Sequence, residues 1–263
     1  MERLRYVARA RGTDPAVLVA ETAEAIESLR PEPADLVNLC RRLVDRNPTC
    51  APMWWFCATL LADVSALDRS WELAAEIEHD RTAVQVAHAL PEGAVVATVG
   101  YPDIAADALV RRGDLTVVAI DAGGGAHALV RRCDRAEVEA HLVPAESALA
   151  AIGSADVMLV EADACSPDQV VASMGSGLAV ALAATTQTPV WLVAGRGRRL
   201  PEPYRVAMER LAGGGTSRAW ESEVESFPVS RVARIAGPDG VVDAADAIVA
   251  ECPFVPELIP PDS

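Results

Sequence analysis

DVMLVEADACSPDQVVASMGSGLAVALAA, residues 156–184, decides the fold. A short apolar run, Val157–Val160, ends in the acidic residues Glu161 and Asp163. A loop with Ser166, Pro167 and Asp168 follows, and Gly175, Ser176 and Gly177 open an alanine-rich helix. The order is strand, loop bearing a carboxylate, helix. In open α/β sheets ligands bind where strand ends meet helix starts, and the unpaired N–H groups of a helix start attract anions. The stretch therefore predicts a parallel sheet and marks where its site lies. Asp163, just past a buried strand, has no packing value there, so it either binds a ligand or caps the next element. Gly175, Ser176 and Gly177 either cradle an anion or let helix and sheet pack closely.

Working outward, the pattern repeats on both sides. After Pro91-Glu92-Gly93, β-branched runs at Ala94–Val99, Leu115–Ile120, Ala140–Val143 and Pro189–Ala194 join Val157–Val160. Helical segments lie between them at Ile104–Arg112, His127–Arg132, Ala145–Ile152 and Ser176–Thr185. Strands alternating with helices mean βαβ units, and continuously apolar strands fit a sheet covered on both faces. From Pro201 the pattern loosens. Leu211–Ser217 reads as a mobile loop, Val229–Ile235 as one more strand and Ala244–Glu251 as a short helix.

Before residue 90 the chain reads helical. Asp14–Leu29, Ala34–Val44, Met53–Leu61 and Leu67–Ala89 carry apolar residues near a 3.6 period, punctuated by Pro31, Pro48 and Pro52. Trp54, Trp55 and Phe56 read as helical core or as a subunit contact. The expected organisation is a helical region over residues 1–90 and a Rossmann-like α/β domain with a parallel sheet over residues 91–263.

Composition narrows the function. The 263 residues carry a net charge of −15, which argues against a nucleic-acid partner. All 23 basic residues are arginine. Without lysine, Schiff-base chemistry, a lysine base and a phosphate-loop lysine are excluded. The six cysteines lack CxxC spacing and the four histidines are scattered, so neither a metal nor another cofactor is expected. Apolar runs stay short of a membrane span, and the basic MERLRYVARARG is not followed by a secretory core. The expectation is a cytoplasmic protein with no membrane partner.

Two further clusters sit at the predicted strand ends. Gly123, Gly124 and Gly125 after the second strand either let a ligand approach or form a plain loop. Arg196, Arg198 and Arg199 after the fifth strand form either an anion clamp or a solvated loop. Cys165, with no histidine or lysine near it in sequence, reads as a packing residue.

These features together resemble the initiation factor 2B alpha/beta/delta family, which includes methylthioribose-1-phosphate isomerase and ribose-1,5-bisphosphate isomerase. Glu161-Ala162-Asp163 stands where that family has GAD. Ala172-Ser173-Met174-Gly175-Ser176 stands at its NKxGT helix start, followed by Ala181-Leu182-Ala183-Ala184. PVWLVA at Pro189–Ala194 looks like its next strand, and Phe254–Ile259 is similar to its C-terminal F-D-x-x-P-x-E-L-I segment. The resemblance runs from about Leu36 to the end, with specific motifs only in the second half. It implies a sheet domain of the NagB/RpiA/CoA-transferase type, a cleft for a phosphorylated sugar or nucleotide, and a homodimer or larger assembly.

Several polar positions of the family are replaced. Val99 stands at the cysteine that acts with the GAD aspartate on an opened sugar. Ala172 and Ser173 replace the signature Asn and Lys, and Asp121–Gly125 replaces T-E-x-R-P with the loss of an arginine. An isomerase needs a paired acid and base. The site expected from the resemblance is Asp163 as the one catalytic candidate. Gly100, Gly123, Gly124, Ser173, Gly175, Ser176, Gly177 and Arg196 are its ligand-binding candidates. Three functions follow: a ligand-binding member without catalysis, an aldose–ketose isomerase built on Asp163, or a non-enzymatic interaction subunit.

Overall fold

A computed structural model describes residues 14–212, 219–244 and 249–260. Helix α1 (Pro15–Leu29) begins where the Asp14 carboxylate accepts the Ala16 N–H at 2.9 Å. Such a side chain satisfies one of the orphan donors of a helix start. It ends at Arg30, left-handed with φ 40°. Helix α2 (Pro33–Arg46) buries Leu36, Cys40, Leu43 and Val44, one stripe at helical spacing. Helix α3 (Ala51–Ala62) is apolar all round and buried on nearly every side. Helices α4 (Ser70–Glu78) and α5 (Thr82–Ala89) complete the helical front.

The sheet holds seven strands in the order β10-β9-β7-β4-β1-β2-β3. They are β1 (Val95–Val99), β2 (Thr116–Asp121), β3 (Glu139–Pro144), β4 (Val157–Glu161), β7 (Val190–Val193), β9 (Arg234–Gly237) and β10 (Gly240–Asp243). All pair in parallel except β10, which runs antiparallel to β9. Helices α6 (Asp103–Leu109), α7 (Ala126–Arg135), α8 (Ala148–Gly153) and α9 (Ser176–Thr186) cross between strands. Apolar residues of β1, β2, β4 and β7 enter separate core clusters on the two faces of the sheet, which explains their unbroken apolar runs. From β1 the chain winds through β2 to β3, and from β4 it winds the other way through β7 to β9. The reversal lies between β1 and β4, where such sheets open a crevice at their C-terminal ends.

Four details depart from the sequence reading. Residues 164–173 are not one loop leading into a helix. They form β5 (Ala164–Cys165) and β6 (Gln169–Ser173), which pair with β8 (Val224–Pro228) in a small antiparallel sheet. Ala172 and Ser173 therefore sit on a strand, and the helix starts only at Ser176. The tail is not irregular after Pro201: helix α10 runs over Glu202–Ala212. The strand read at Val229–Ile235 is a 3₁₀ turn at Val229–Arg231 followed by β9. The loop read at Leu211–Ser217 and the helix read at Ala244–Glu251 fall largely outside the described residues. Of the helix, Ala244 and Val249–Glu251 are described, and Val249, Ala250 and Glu251 lie in no regular element.

Tyr204 on α10 packs its ring 5.5 Å from Trp54 and 5.4 Å from Phe254. Its hydroxyl donates to the Val255 carbonyl and accepts the Val255 N–H. The core beneath α1–α4 thus includes Tyr204, Met208, Cys252 and Leu258 from the far end of the chain. Trp54, Trp55 and Phe56 lie in this core. Trp55 donates its ring N–H to the Glu251 carbonyl, tying α3 to the C-terminal segment.

Candidate functional site

A cleft of about 1510 Å³ opens at the reversal point. Its floor is made by the ends of β1 and β4, and its walls by the α2–α3 connection and the segment after β7.

Glu161 ends β4 and turns inward. One carboxylate oxygen accepts the Ile104 and Ala105 N–H groups at 2.8 and 3.1 Å, holding the start of α6. The other meets Arg198 at 2.9 Å. Burial pushes the Glu161 carboxyl upward, while Arg198 and the two N–H groups oppose it. Arg198, itself buried, also donates to the Ala162 carbonyl.

Asp163 lies two residues on. Its backbone N–H pairs with Val171, so β6 fixes its position. Its carboxyl makes no hydrogen bond or ion pair among the described residues and faces the cleft. Burial raises it from an ordinary 3.8 to about 6, with Glu161 and Asp103 adding to the push and Arg198 opposing it. Asp103, at the start of α6, is likewise without a side-chain partner among the described residues. Its carboxyl is also pushed upward by the surrounding walls, though it is the more solvent-open of the two. Thr98 on β1 completes the floor. It is 1% exposed, and its hydroxyl has no hydrogen-bond partner.

Most positive groups around the cleft are engaged with carboxylates of the chain. Arg199 meets Glu251 at 2.7 Å, and Arg196 meets Glu251 at 3.4 Å and Glu76 at 3.7 Å. Arg132 is held by Asp107 and the Tyr101 hydroxyl. The three arginines after β7 are neither a clamp open to the cleft nor a solvated loop; each is paired with a carboxylate. Arg46, exposed at the rim, has no carboxylate partner among the described residues. At the start of α9 the Gly177 N–H donates to Glu225 at 2.8 Å, so a carboxylate of the chain already takes that donor.

The sequence matches no family model and no curated protein. Solved structures do match. The Pyrococcus horikoshii OT3 translation initiation factor eIF-2B aligns with 17% identity and a TM-score of 0.71, covering 92% of this chain and 96% of that one. A subunit of the tetrameric eIF2B-beta2-delta2 complex from C. thermophilum aligns with 15% identity and a TM-score of 0.74, covering 93% and 90%. The delta subunit of eIF-2B from A. fulgidus gives 15% identity and a TM-score of 0.58, covering 92% and 87%.

The chain has the initiation factor 2B fold.

Within that fold, the residues singled out from sequence fall into two groups. Asp163, Gly100, Gly123, Ser173, Ser176 and Arg196 all line the cleft. Gly124, Gly175 and Gly177 do not. Gly124 closes the turn after β2, donating its N–H to Asp121 at 2.8 Å. Gly175 has φ 95°, and a Cβ there would lie 2.5 Å from that of Ala122, so conformation and close approach both require glycine. Val99 borders the cleft and brings no thiol. Cys165, on β5 of the small sheet, is buried, and burial pushes its thiol up to about 12, the behaviour of a packing residue.

Sequence reading did not assign roles to Thr98, Asp103, Glu161 or Glu225. Thr98 left a trace as the one polar residue in the apolar run Val95–Val99. Glu225 left none, since its partner lies 48 residues away.

Proposed function

We propose that this protein is a ligand-binding relative of the initiation factor 2B subunits, without isomerase catalysis, and that its cleft holds the hydroxyl-bearing part of a small metabolite. One observation carries the reading. Asp163 keeps an unpaired carboxyl at the crevice, although burial makes ionising it unfavourable. A cost of that kind, tolerated in a cleft at a reversal point, is the mark of a functional group. A carboxyl in this setting accepts hydrogen bonds from hydroxyls. A phosphorylated sugar or nucleotide would set its hydroxyls on Asp163 and Asp103 and find for its phosphate only Arg46 at the exposed rim, so the hydroxyls carry the recognition.

An isomerase reading has in its favour the Asp163 carboxyl held near 6, suited to proton transfer close to neutral pH. Against it, Val99 supplies no partner acid or base. Self-assembly belongs to the proposal as well. The C. thermophilum relative is a tetramer of two subunit kinds, and no helix among the described residues is long and apolar enough to cross a membrane.

The test is a thermal-shift screen with pentose phosphates, methylthioribose 1-phosphate, nucleoside monophosphates and their unphosphorylated forms. A ligand at 100 times its Kd stabilises the native state by about 2.7 kcal/mol, a rise of roughly 5–10 °C for a chain of this size. The rise should vanish in Asp163→Asn. A compound that binds and is also turned over restores the isomerase. A screen with no shift leaves the interaction subunit.

A further inference from the structure

The charge balance of the cleft says what kind of ligand it takes, given the ligand-binding reading above. Three carboxylates, Asp103, Glu161 and Asp163, share the floor with one guanidinium, Arg198. That guanidinium is already held by Glu161 and the Ala162 carbonyl. Asp103 and Asp163 have no hydrogen-bond or ion-pair partner among the described residues, and Asp103 adds to the upward push on the Asp163 carboxyl. An anion entering here meets uncompensated negative charge and finds Arg196 occupied by Glu251 and Glu76, while Arg46, without a carboxylate partner among the described residues, stands exposed at the rim and away from the floor. A cation meets the reverse: a negative field, focused by low-dielectric walls, on a protein of net charge −15.

A second, independent feature points to a ligand. Thr98 lines the same cleft, and its hydroxyl is buried and has no partner. A buried hydroxyl left unpaired is destabilising, and pairing it with a ligand hydroxyl removes the penalty. A metal ion does not fit, because the described residues contain no group of three or more ligating side chains close enough to hold one.

We infer that the cleft recognises a small polyhydroxylated amine, its ammonium drawn to the Asp163 and Asp103 carboxylates and a hydroxyl paired with Thr98. An ammonium carries three donors and suits carboxylates that have none. Binding favours the ionised form of Asp163, so a proton competes with the ligand as pH falls.

The experiment titrates the full chain with glucosamine, galactosamine and tris(hydroxymethyl)aminomethane, and with glucose and glucose 6-phosphate, in a buffer free of amines and phosphate. Calorimetry and thermal shift give the readouts. At least one amine should bind ten times or more tighter than glucose, and glucose 6-phosphate should bind weakest. The amine's affinity should fall about tenfold between pH 7 and pH 5, where the amine stays a cation and Asp163 takes up its proton. Asp163→Asn should abolish amine binding. Thr98→Val should weaken it several-fold while melting no lower than wild type, which separates a ligand contact from a folding defect. Glucose or glucose 6-phosphate binding as tightly as the amines, with dependence on Asp163, overturns this inference and leaves the ligand-binding reading standing. No binding by any of the five overturns the inference, and together with a blank phosphate screen it removes the ligand-binding reading too.

Discussion

The segment after β7 and the segment after β4 meet at the same cleft and treat charge in opposite ways. After β7, Arg196, Arg198 and Arg199 each find a carboxylate, two of them sharing Glu251. After β4, Asp163 finds none, and Asp103 beside it finds none either among the described residues. Both segments place ionisable groups in poorly solvated surroundings, where an unpaired charge is expensive and a paired one is tolerable. The paired arginines are scaffold: they hold the ends of β4, α6 and the C-terminal segment together. The unpaired acids stabilise nothing, which is why function is assigned to them.

Breaking the paired side should have the largest effect. Arg198→Met leaves Glu161 buried without its cation, and such a loss costs about 3–5 kcal/mol. Urea denaturation should show it as a lower midpoint with unchanged slope, and the double variant with Glu161→Gln should recover part of the loss. If Arg198→Met alone is neutral, the pair is not the scaffold described.

The unpaired side should respond with the opposite sign. Because the folded-state value of Asp163 is raised, the native state holds more protons than the unfolded chain between about pH 4 and 6. Stability is therefore fullest below that window and falls as pH rises through it. The gap from 3.8 to about 6 corresponds to at most about 3 kcal/mol. Solvent access through the cleft reduces this to roughly 1 kcal/mol. Asp163→Asn should thus melt about 2–4 °C above wild type at pH 8 and match it below pH 4. A variant that melts lower at pH 8 would mean the carboxylate has a stabilising partner.

The smallest effect sharpens the comparison at a neutral group. Thr98→Val replaces an unpaired buried hydroxyl with a methyl of similar shape and should stabilise by about 1 kcal/mol at every pH. A loss of stability instead would show that the hydroxyl is satisfied within the fold.

Much of the scaffold was legible in the chain because its signals are local. The runs around Val96, Val118, Leu159 and Leu192 are apolar without alternation, as strands covered on both faces must be. Proline and glycine mark their ends. The small sheet of β5, β6 and β8 was not legible. Its strands run two to five residues, and its key pairing joins Ala172 to Glu225, far apart in the chain. Helix α10 does carry a local signal, since Tyr204, Ala207, Met208 and Leu211 stand at helical spacing and face the core that holds Trp54.

By itself the sequence determined the alternation of strands and helices, the absence of lysine chemistry, and the position of Asp163 at the end of a buried strand. Those follow from periodicity, composition and a short motif. Only the tertiary structure decided which charges are free. Glu251 reaches back 52 residues to Arg199, Glu225 reaches 48 to Gly177, and Arg198 closes on Glu161 beneath the cleft. A charge is free or spent according to what folding brings within about 4 Å of it and how much water it removes, and neither is written in the order of neighbours along the chain.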